Sequence, residues 1–451
     1  MKSFGRCGPL IVLVVAMSIV ASSVPATAGD RRLSAAEQRG LVDDVCREVE
    51  ARYVFPDVGT AMSEHLHARL AAGAYAKLTS PAELAERLQI DLREVSHDRH
   101  IFVTYDPPWA AWLGAAAAAG DSEALSPAEV EASRRHNYGL REVRLLEGNV
   151  GYLDIRGFLR PSLAGPKLAA AMALLADCDA VIIDLRSNGG GWPATGALLA
   201  SYFFAPGKAE HFIDFYDRLT GKTTQSWTQP FVPGKTLAST PLYILTSERS
   251  FSGAEGFAYS LQAMKRATVV GARTRGGAHT AEDLAVGREF VLAVPQGRPI
   301  NPVTHANWEG TGVTPDLEVP AKQALDVAHE RALERLLAAS AAAPDRARLQ
   351  WALDAVRARI RPVTPDARAL EACAGAYGTR RVTFEGGRLY DQRVDRPRQA
   401  LVPLGADLFG IEGLEQQRLR FVRDAGRVTA VVVLDEDGSS RTVPKGPVAA
   451  P

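Results

Sequence analysis

Cysteine is scarce in this chain, with four in 451 residues. Cys7 precedes the first apolar run, and Cys46, Cys178 and Cys373 are odd in number and far apart. No C-x-x-C pair and no Cys/His cluster is present, so no zinc or iron–sulfur motif can be read, and neither metal nor other cofactor is expected. Net charge is missing too: 52 Lys and Arg balance 52 Asp and Glu. With no basic stripe either, nucleic acid is not expected as a partner. There is no internal repeat. The one run of three glycines lacks the Lys-Ser/Thr that would make it a P-loop. At 46% hydrophobic and 23% charged residues, the composition is that of a soluble globular protein, and the length calls for two or three domains.

What is present begins at the N-terminus. Lys2 and Arg6 precede "PLIVLVVAMSIVA", and "ATA" follows at Ala26 to Ala28. A basic start, an apolar run shorter than the ~20 residues of a spanning helix and small residues form a secretory signal. Residues 1–28 are therefore expected to be removed. That leaves an exported chain, periplasmic or secreted, with no integral membrane anchor.

Residues 29–135 read as a mainly helical region. Leu41, Val42, Val45, Val49 and Tyr53 recur at three-to-four spacing. "SPAELAERLQIDLREV" opens with Ser80 and Pro81 at cap and N1 positions. "HIFVTYDPPW" is a strand stopped by prolines, and the Ala-rich stretch 114–136 reads as a flexible connector. From 136 to 322, strand patterns alternate with helical ones: "EGNVGYLDIRGF", "PSLAGPKLAAAMALLA", "DAVIIDLRS", "GWPATGALLASYFF", "PLYILTSE", "GAEGFAYSLQAMK", "ATVVGAR". This predicts an α/β domain with a mixed or mostly parallel sheet covered by helices. Residues 323–365 read as a helical linker. Residues 366–451 show short alternating strands between "EGG", "DAG" and "EDG" turns, a small all-β module.

In such a sheet, chemistry is expected beyond the carboxyl ends of strands. Two polar segments lie there. "DLRSNGGGW" follows a buried strand, and its glycines can present bare N–H groups to an anion. "TSERSFSGAEGF" carries Ser247, Ser250 and Ser252 where a strand hands over to a helix. Ser252 and Glu255 have capping-box spacing, and a serine at a helix start is also where free amides can hold an oxyanion. "SHDRH" adds His97 and His100, and "NPVTHANWEGTGVTPD" adds His305, Trp308, Glu309 and Asp316.

Together these segments resemble serine peptidase family S41, the C-terminal processing peptidases. The similarity is greatest to the branch holding tricorn core domains and the repeats of interphotoreceptor retinoid-binding protein. "DLRSNGGG", "SFSGAEGFAYSLQAMKRATVVGARTRGGA" and "NWEGTGVTPD" match linked family motifs over residues ~140 to ~320. The resemblance implies a ClpP/crotonase-like core and a peptide or protein substrate. It places the nucleophile at Ser252. One branch of the family supplies a lysine where this chain has Gly277, so the resemblance implies the other branch, with His100 as base and Glu309 as its orienting acid. The oxyanion donors would be Gly189 or Gly190, with Gly253. His97 and Ser250 are the fallback base and nucleophile. Glu255 becomes a helix-start residue, and Asp184 and Arg186 brace the glycine loop. A histidine base implies a rate rising with pH through ~6.5 to 7. No PDZ-like substrate-tethering domain is visible. Two other readings stay open: a hydrophobic-ligand-binding protein on the same fold, and an esterase or amidase using the same triad.

Overall fold

The computed structural model describes residues 31–120, 125–394 and 396–446; the expected signal segment, 1–28, lies outside them. These residues divide into two compact units. One holds residues 31–144, 152–177 and 183–321, the other 145–151, 178–182 and 322 onward.

The first unit starts with three helices, α1 (Ala35–Arg52), α2 (Pro56–Ala71) and α3 (Pro81–Ser96). α1 opens with a capping box between Ser34 and Glu37, which satisfies amides that the first turn leaves unpaired. Its apolar stripe, Leu41, Val42, Val45 and Val49, is buried. α3 ends where His97 adopts a left-handed conformation (φ 54°), turning the chain into β1 (Phe102–Tyr105). The expected flexible connector is instead two helices, α4 (Pro107–Ala119) and α5 (Pro127–Arg135). Alanine has the highest intrinsic helix propensity. Asp106 and Ser126 cap the two starts with a proline behind each, so a composition read as low-complexity is good helix sequence.

The strands and helices that follow are β2 (Leu140–Leu146), β3 (Val150–Ile155), α6 (Pro161–Leu174), β4 (Ala180–Asp184), α7 (Pro193–Ser201), β5 (His211–Asp217), β6 (Lys222–Trp227), β7 (Leu242–Thr246), α8 (Gly253–Ala263), β8 (Thr268–Gly271), β9 (Thr280–Val286), β10 (Phe290–Ile300) and β11 (Leu317–Glu318). A six-stranded sheet runs β11-β8-β7-β4-β3-β2, with β8 parallel to both β7 and β11. A second sheet runs β1-β10-β5-β6, with β9 hairpinned onto β10. Val286, Phe290, Leu292 and Val294 of that hairpin share one core with Val42, Val49, Leu66, Leu88 and Leu92 of the N-terminal helices. The helical region therefore does not fold apart from the α/β core.

The second unit contains α9 (Ala324–Ala339), α10 (Ala343–Ile360) and α11 (Ala367–Glu371). An antiparallel meander follows: β12 (Gly375–Tyr377), β13 (Arg380–Glu385), β14 (Arg388–Arg393), β15 (Gln399–Pro403), β16 (Leu408–Ile411), β17 (Leu414–Asp424), β18 (Arg427–Asp435) and β19 (Ser440–Pro444). A bridge between Ala376 and Gly446 returns its last edge to its first. The core of the meander is Tyr377, Leu401, Phe409, Leu419, Phe421 and Val431. Arg418 donates to Trp351 O at 2.6 Å and lies over the Trp351 ring. The helices around 323–365 are thus packed parts of this unit.

Candidate active site

The three serines after β7 have different surroundings. Ser247 Oγ donates to Arg186 O at 2.5 Å, and Ser250 Oγ donates to Leu185 O at 2.7 Å while accepting from Ser247 N. Both tie the turn to the end of β4. Ser250 is 1% exposed and its hydroxyl is spent on the fold, which removes it as fallback nucleophile. Ser252 has φ 54° and ψ −120°, a region that side-chain-bearing residues avoid and that costs about 1–3 kcal/mol to hold. Its N–H donates to Glu255 Oε2 at 2.8 Å. Its side chain borders an open pocket.

The glycine loop after β4 is folded around Asn188. The Asn188 amide donates to Ile155 O (2.9 Å) and its oxygen accepts from Gly190 N (2.8 Å). Gly190 has φ +103°, and a Cβ there would lie 2.7 Å from Ser252 Cβ. Only glycine lets the loop pass this close. Its N–H, however, is committed to Asn188, which corrects its expected role as an oxyanion donor. The next residue, Gly191, was not singled out in the sequence, and its N lies against Gly253. Among the described residues, the N–H groups of Gly189, Gly191 and Gly253 donate to no protein acceptor.

The other wall is the segment after β8. Glu255, fully buried, accepts from Thr274 Oγ1 (2.5 Å), Gly276 N (2.7 Å) and Gly277 N (2.9 Å). One carboxylate thus joins this segment to the Ser252 turn. Burial pushes its carboxyl up to about 7 against the pull of those donors. His100 is buried, stacks on Phe251 with ring centroids 4.5 Å apart, and has no hydrogen-bond partner at either ring nitrogen. It makes no hydrogen bond to Ser252 or Glu309. Burial pushes its pKa down to about 4, with Asp98 opposing the shift. His97, at the α3 terminus, is exposed, so the structure offers it no place as the fallback base.

The carboxylate nearest His100 is Asp98, not Glu309. Asp98 Oδ1 accepts from His100 N at 2.8 Å and lies 3.9 Å from His100 Nδ1. Asp98 Oδ2 lies 2.6 Å from His279 Nδ1 and accepts from Tyr53 OH at 3.2 Å. Glu309 instead accepts from Ala278 N (2.5 Å) and His279 N (3.1 Å), with His279 Nδ1 3.6 Å away. Asp98, inside "SHDRH", and His279, directly after "TRGGA", were unread in the sequence, because only the fold joins positions 181 residues apart. Among the described residues, Asp98, His279 and Glu309 form one of two groups whose side chains could converge on a metal ion. Their acceptor atoms already hold the N–H and O–H donors just given.

The pocket beside Ser252 is apolar, lined by Pro193, Phe212, Phe215, Phe257, Ala278 and Trp308 among others. Trp308 Nε1 donates to Gly277 O at 2.7 Å, which turns the indole into a fixed wall. The Asp184–Arg186 pair is a brace: Arg186 clasps Asp184, which also accepts from Tyr152 OH at 2.7 Å, and donates to Ala321 O at 2.8 Å.

Sequence comparison matches residues 149–319 to the profile of peptidase family S41 and residues 33–134 to the profile described as the N-terminal domain of Peptidase_S41 in eukaryotic IRBP. The chloroplastic carboxyl-terminal-processing peptidase 1 of Arabidopsis thaliana is 29% identical over 192 residues, 42% of this chain and 37% of the plant protein. The alignment thus spans well under half of that relative. Among solved structures, a lipoprotein from Streptococcus agalactiae is similar with a TM-score of 0.46 and 16% identity, covering 67% of this chain and 97% of that one. A photosystem II D1 C-terminal processing protease gives a TM-score of 0.42 and 14% identity, covering 63% and 94%.

Proposed function

The chain belongs to peptidase family S41, and from that premise we propose that it is a serine peptidase cleaving peptide or protein substrates after export. Ser252 is the nucleophile. Its Oγ attacks the scissile carbonyl, and its proton passes to the neutral imidazole of His100. The carbonyl oxygen becomes an oxyanion facing the uncommitted N–H groups of Gly253 and Gly191. The imidazolium then protonates the leaving amine, leaving an acyl-enzyme ester on Ser252. Water, deprotonated by His100, hydrolyses that ester and restores the serine. Residues 1–28 direct the chain out of the cytoplasm.

One observation carries this reading. Ser252 is held at positive φ at a helix start, beside amides with no protein acceptor, and the ring of its chain neighbour Phe251 stacks on His100, a buried imidazole with two open nitrogens. Each is costly to a fold that gains nothing from it. The Ser-Lys alternative meets a steric objection as well as the absent lysine: a Cβ at 277 would lie 2.9 Å from His100 Cε1 and inside the edge of the Phe251 ring.

The test is a fluorophosphonate probe followed by peptide mapping. Label on Ser252 supports the assignment; no label, or label on another serine, removes it. The acyl chemistry serves esters and amides equally, so peptide and ester substrates belong in the same assay. The apolar pocket favours a second reading as a hydrophobic-ligand binder, which lipid binding without probe labelling would support.

A further inference from the structure

We propose that Asp98 is the acid that orients His100, and that His279 is a positioning residue that acts on His100 only through Asp98. The inference rests on His100 being the base. It assigns roles to two residues that the family motifs quoted above do not assign.

The geometry divides one carboxylate between two imidazoles. Oδ2 of Asp98 is taken by His279 Nδ1 at 2.6 Å and Tyr53 OH at 3.2 Å. That leaves Oδ1, fixed by the His100 amide at 2.8 Å, aimed toward His100 Nδ1 at 3.9 Å. Asp98 is 1% exposed and His279 5%. An isolated carboxylate at that depth would take up a proton, because burial penalises the charged form. Here the adjacent His279 reverses the outcome: Asp98 is held below the ordinary carboxylate range and His279 above the ordinary imidazole range. Each group of the pair favours the charged form of the other, with Glu309 closing its far side through the Ala278 and His279 amides.

The charged and titratable groups that act on the pair come from several elements, Arg93 acting on Asp98 among them. Asp98, Glu309 and Arg298 act on His279, and His279, His100, Tyr53 and Glu309 act on Asp98. Arg275 and Arg93 join Asp98 and His279 in acting on His100. Asp98 lies against both rings. When His100 takes the Ser252 proton, a closing movement of about 1 Å brings Nδ1–H within reach of Asp98 Oδ1. His279 cannot follow, since its Nδ1 already holds Oδ2. Its part is to keep Asp98 ionised and prevent the carboxylate from rotating.

The sign of the pH effect follows. Loss of His279 removes a positive charge from both Asp98 and His100, so the pKa of each rises. Whichever of the two limits activity, the acid limb of kcat/KM moves toward alkaline pH.

The experiment compares full-chain wild type, His279→Ala, His279→Gln and Asp98→Asn. His279→Ala should lower kcat by about 30-fold or more with KM changed less than about threefold, shift the acid limb alkaline by about a unit, and recover several-fold in added imidazole. Asp98→Asn should lose more, on the order of 10³ to 10⁴-fold. An unshifted limb with kcat near wild type, or an equal loss at every pH with no imidazole rescue, would overturn the role of His279. If the variants do not fold, ¹⁵N-histidine NMR of the Ser252→Ala protein replaces them. It should show one buried imidazole titrating above ~6.5 and one below it, and two coincident titrations would overturn the pairing. His100→Ala separates the two levels: if it stays active, the base assignment itself fails. If it is inactive while His279→Ala is unaffected, only this inference falls.

Discussion

Gly277 is a glycine because the Phe251 ring, with His100 stacked on it, occupies the space its side chain would need. A Cβ at that position would lie 2.9 Å from His100 Cε1 and overlap the Phe251 ring. Any side chain at 277 would start against the Phe251 and His100 rings. Gly277→Ala should displace the ring, cost about 1–3 kcal/mol through overpacking and lower kcat/KM by at least about 10²-fold. Gly277→Lys should do the same and not restore a Ser-Lys dyad. Kinetics paired with thermal denaturation checks both, and an active Gly277→Lys enzyme would count against the histidine base.

Ser252 bears a strained backbone for the sake of its hydroxyl. Ser252→Gly should therefore abolish hydrolysis yet stabilise the fold by roughly 1 kcal/mol, since glycine reaches φ 54° without the Cβ clash. Denaturant midpoints of wild type and variant measure this. A destabilised glycine variant would show that the turn is not under strain.

The pH profile should differ from one with a half-point near ~6.5 to 7. Burial pushes His100 down to about 4, so the neutral base persists well into acid. The value of kcat/KM should hold to about pH 5 and fall as His100 takes up a proton below it. Folding stability follows the same sign. The folded state binds the His100 proton more weakly than the unfolded chain, so stability is lost as pH falls from ~6.5 through 4. A limb near 7 that disappears in Glu255→Gln would assign the titration to Glu255, whose carboxyl is pushed up to about 7.

Asp283 on β9 is buried with both carboxylate oxygens unpartnered among the described residues, and burial pushes it up to about 8. The folded state holds this proton more tightly than the unfolded chain, so stability should decline as pH rises from ~4 toward 8. Asp283→Leu should flatten that decline and raise stability at pH 8 by about 1–3 kcal/mol, read from Tm against pH.

Much of this was legible in the chain. The alternation of β4, α7, β7, α8 and β8 was plain, because continuous apolar strands such as "VIID" and "LYILT" stop abruptly at polar turns. The turn drew attention to Ser247, Ser250 and Ser252 together, and the family resemblance picked Ser252 among them. Glu309 could be found but not placed: its motif was clear, while the partner of its carboxylate depended on how the 278–279 backbone folds back. Asp98 and His279 carried no local signal, since neither has a sequence neighbour that its role requires. The hairpin of β9 and β10 was unread for another reason. Its 290–295 segment is buried on both faces, which erases the two-residue alternation that marks a half-exposed strand.

The central claim is that Ser252 performs the chemistry. The most direct measurement is kcat/KM for a quenched fluorescent peptide with wild type and Ser252→Ala, alongside their thermal denaturation. The alanine variant should lose on the order of 10³-fold or more in rate while losing at most about 1 kcal/mol of stability, the worth of a helix cap. A folded Ser252→Ala protein that still cleaves the peptide at a comparable rate would contradict the account.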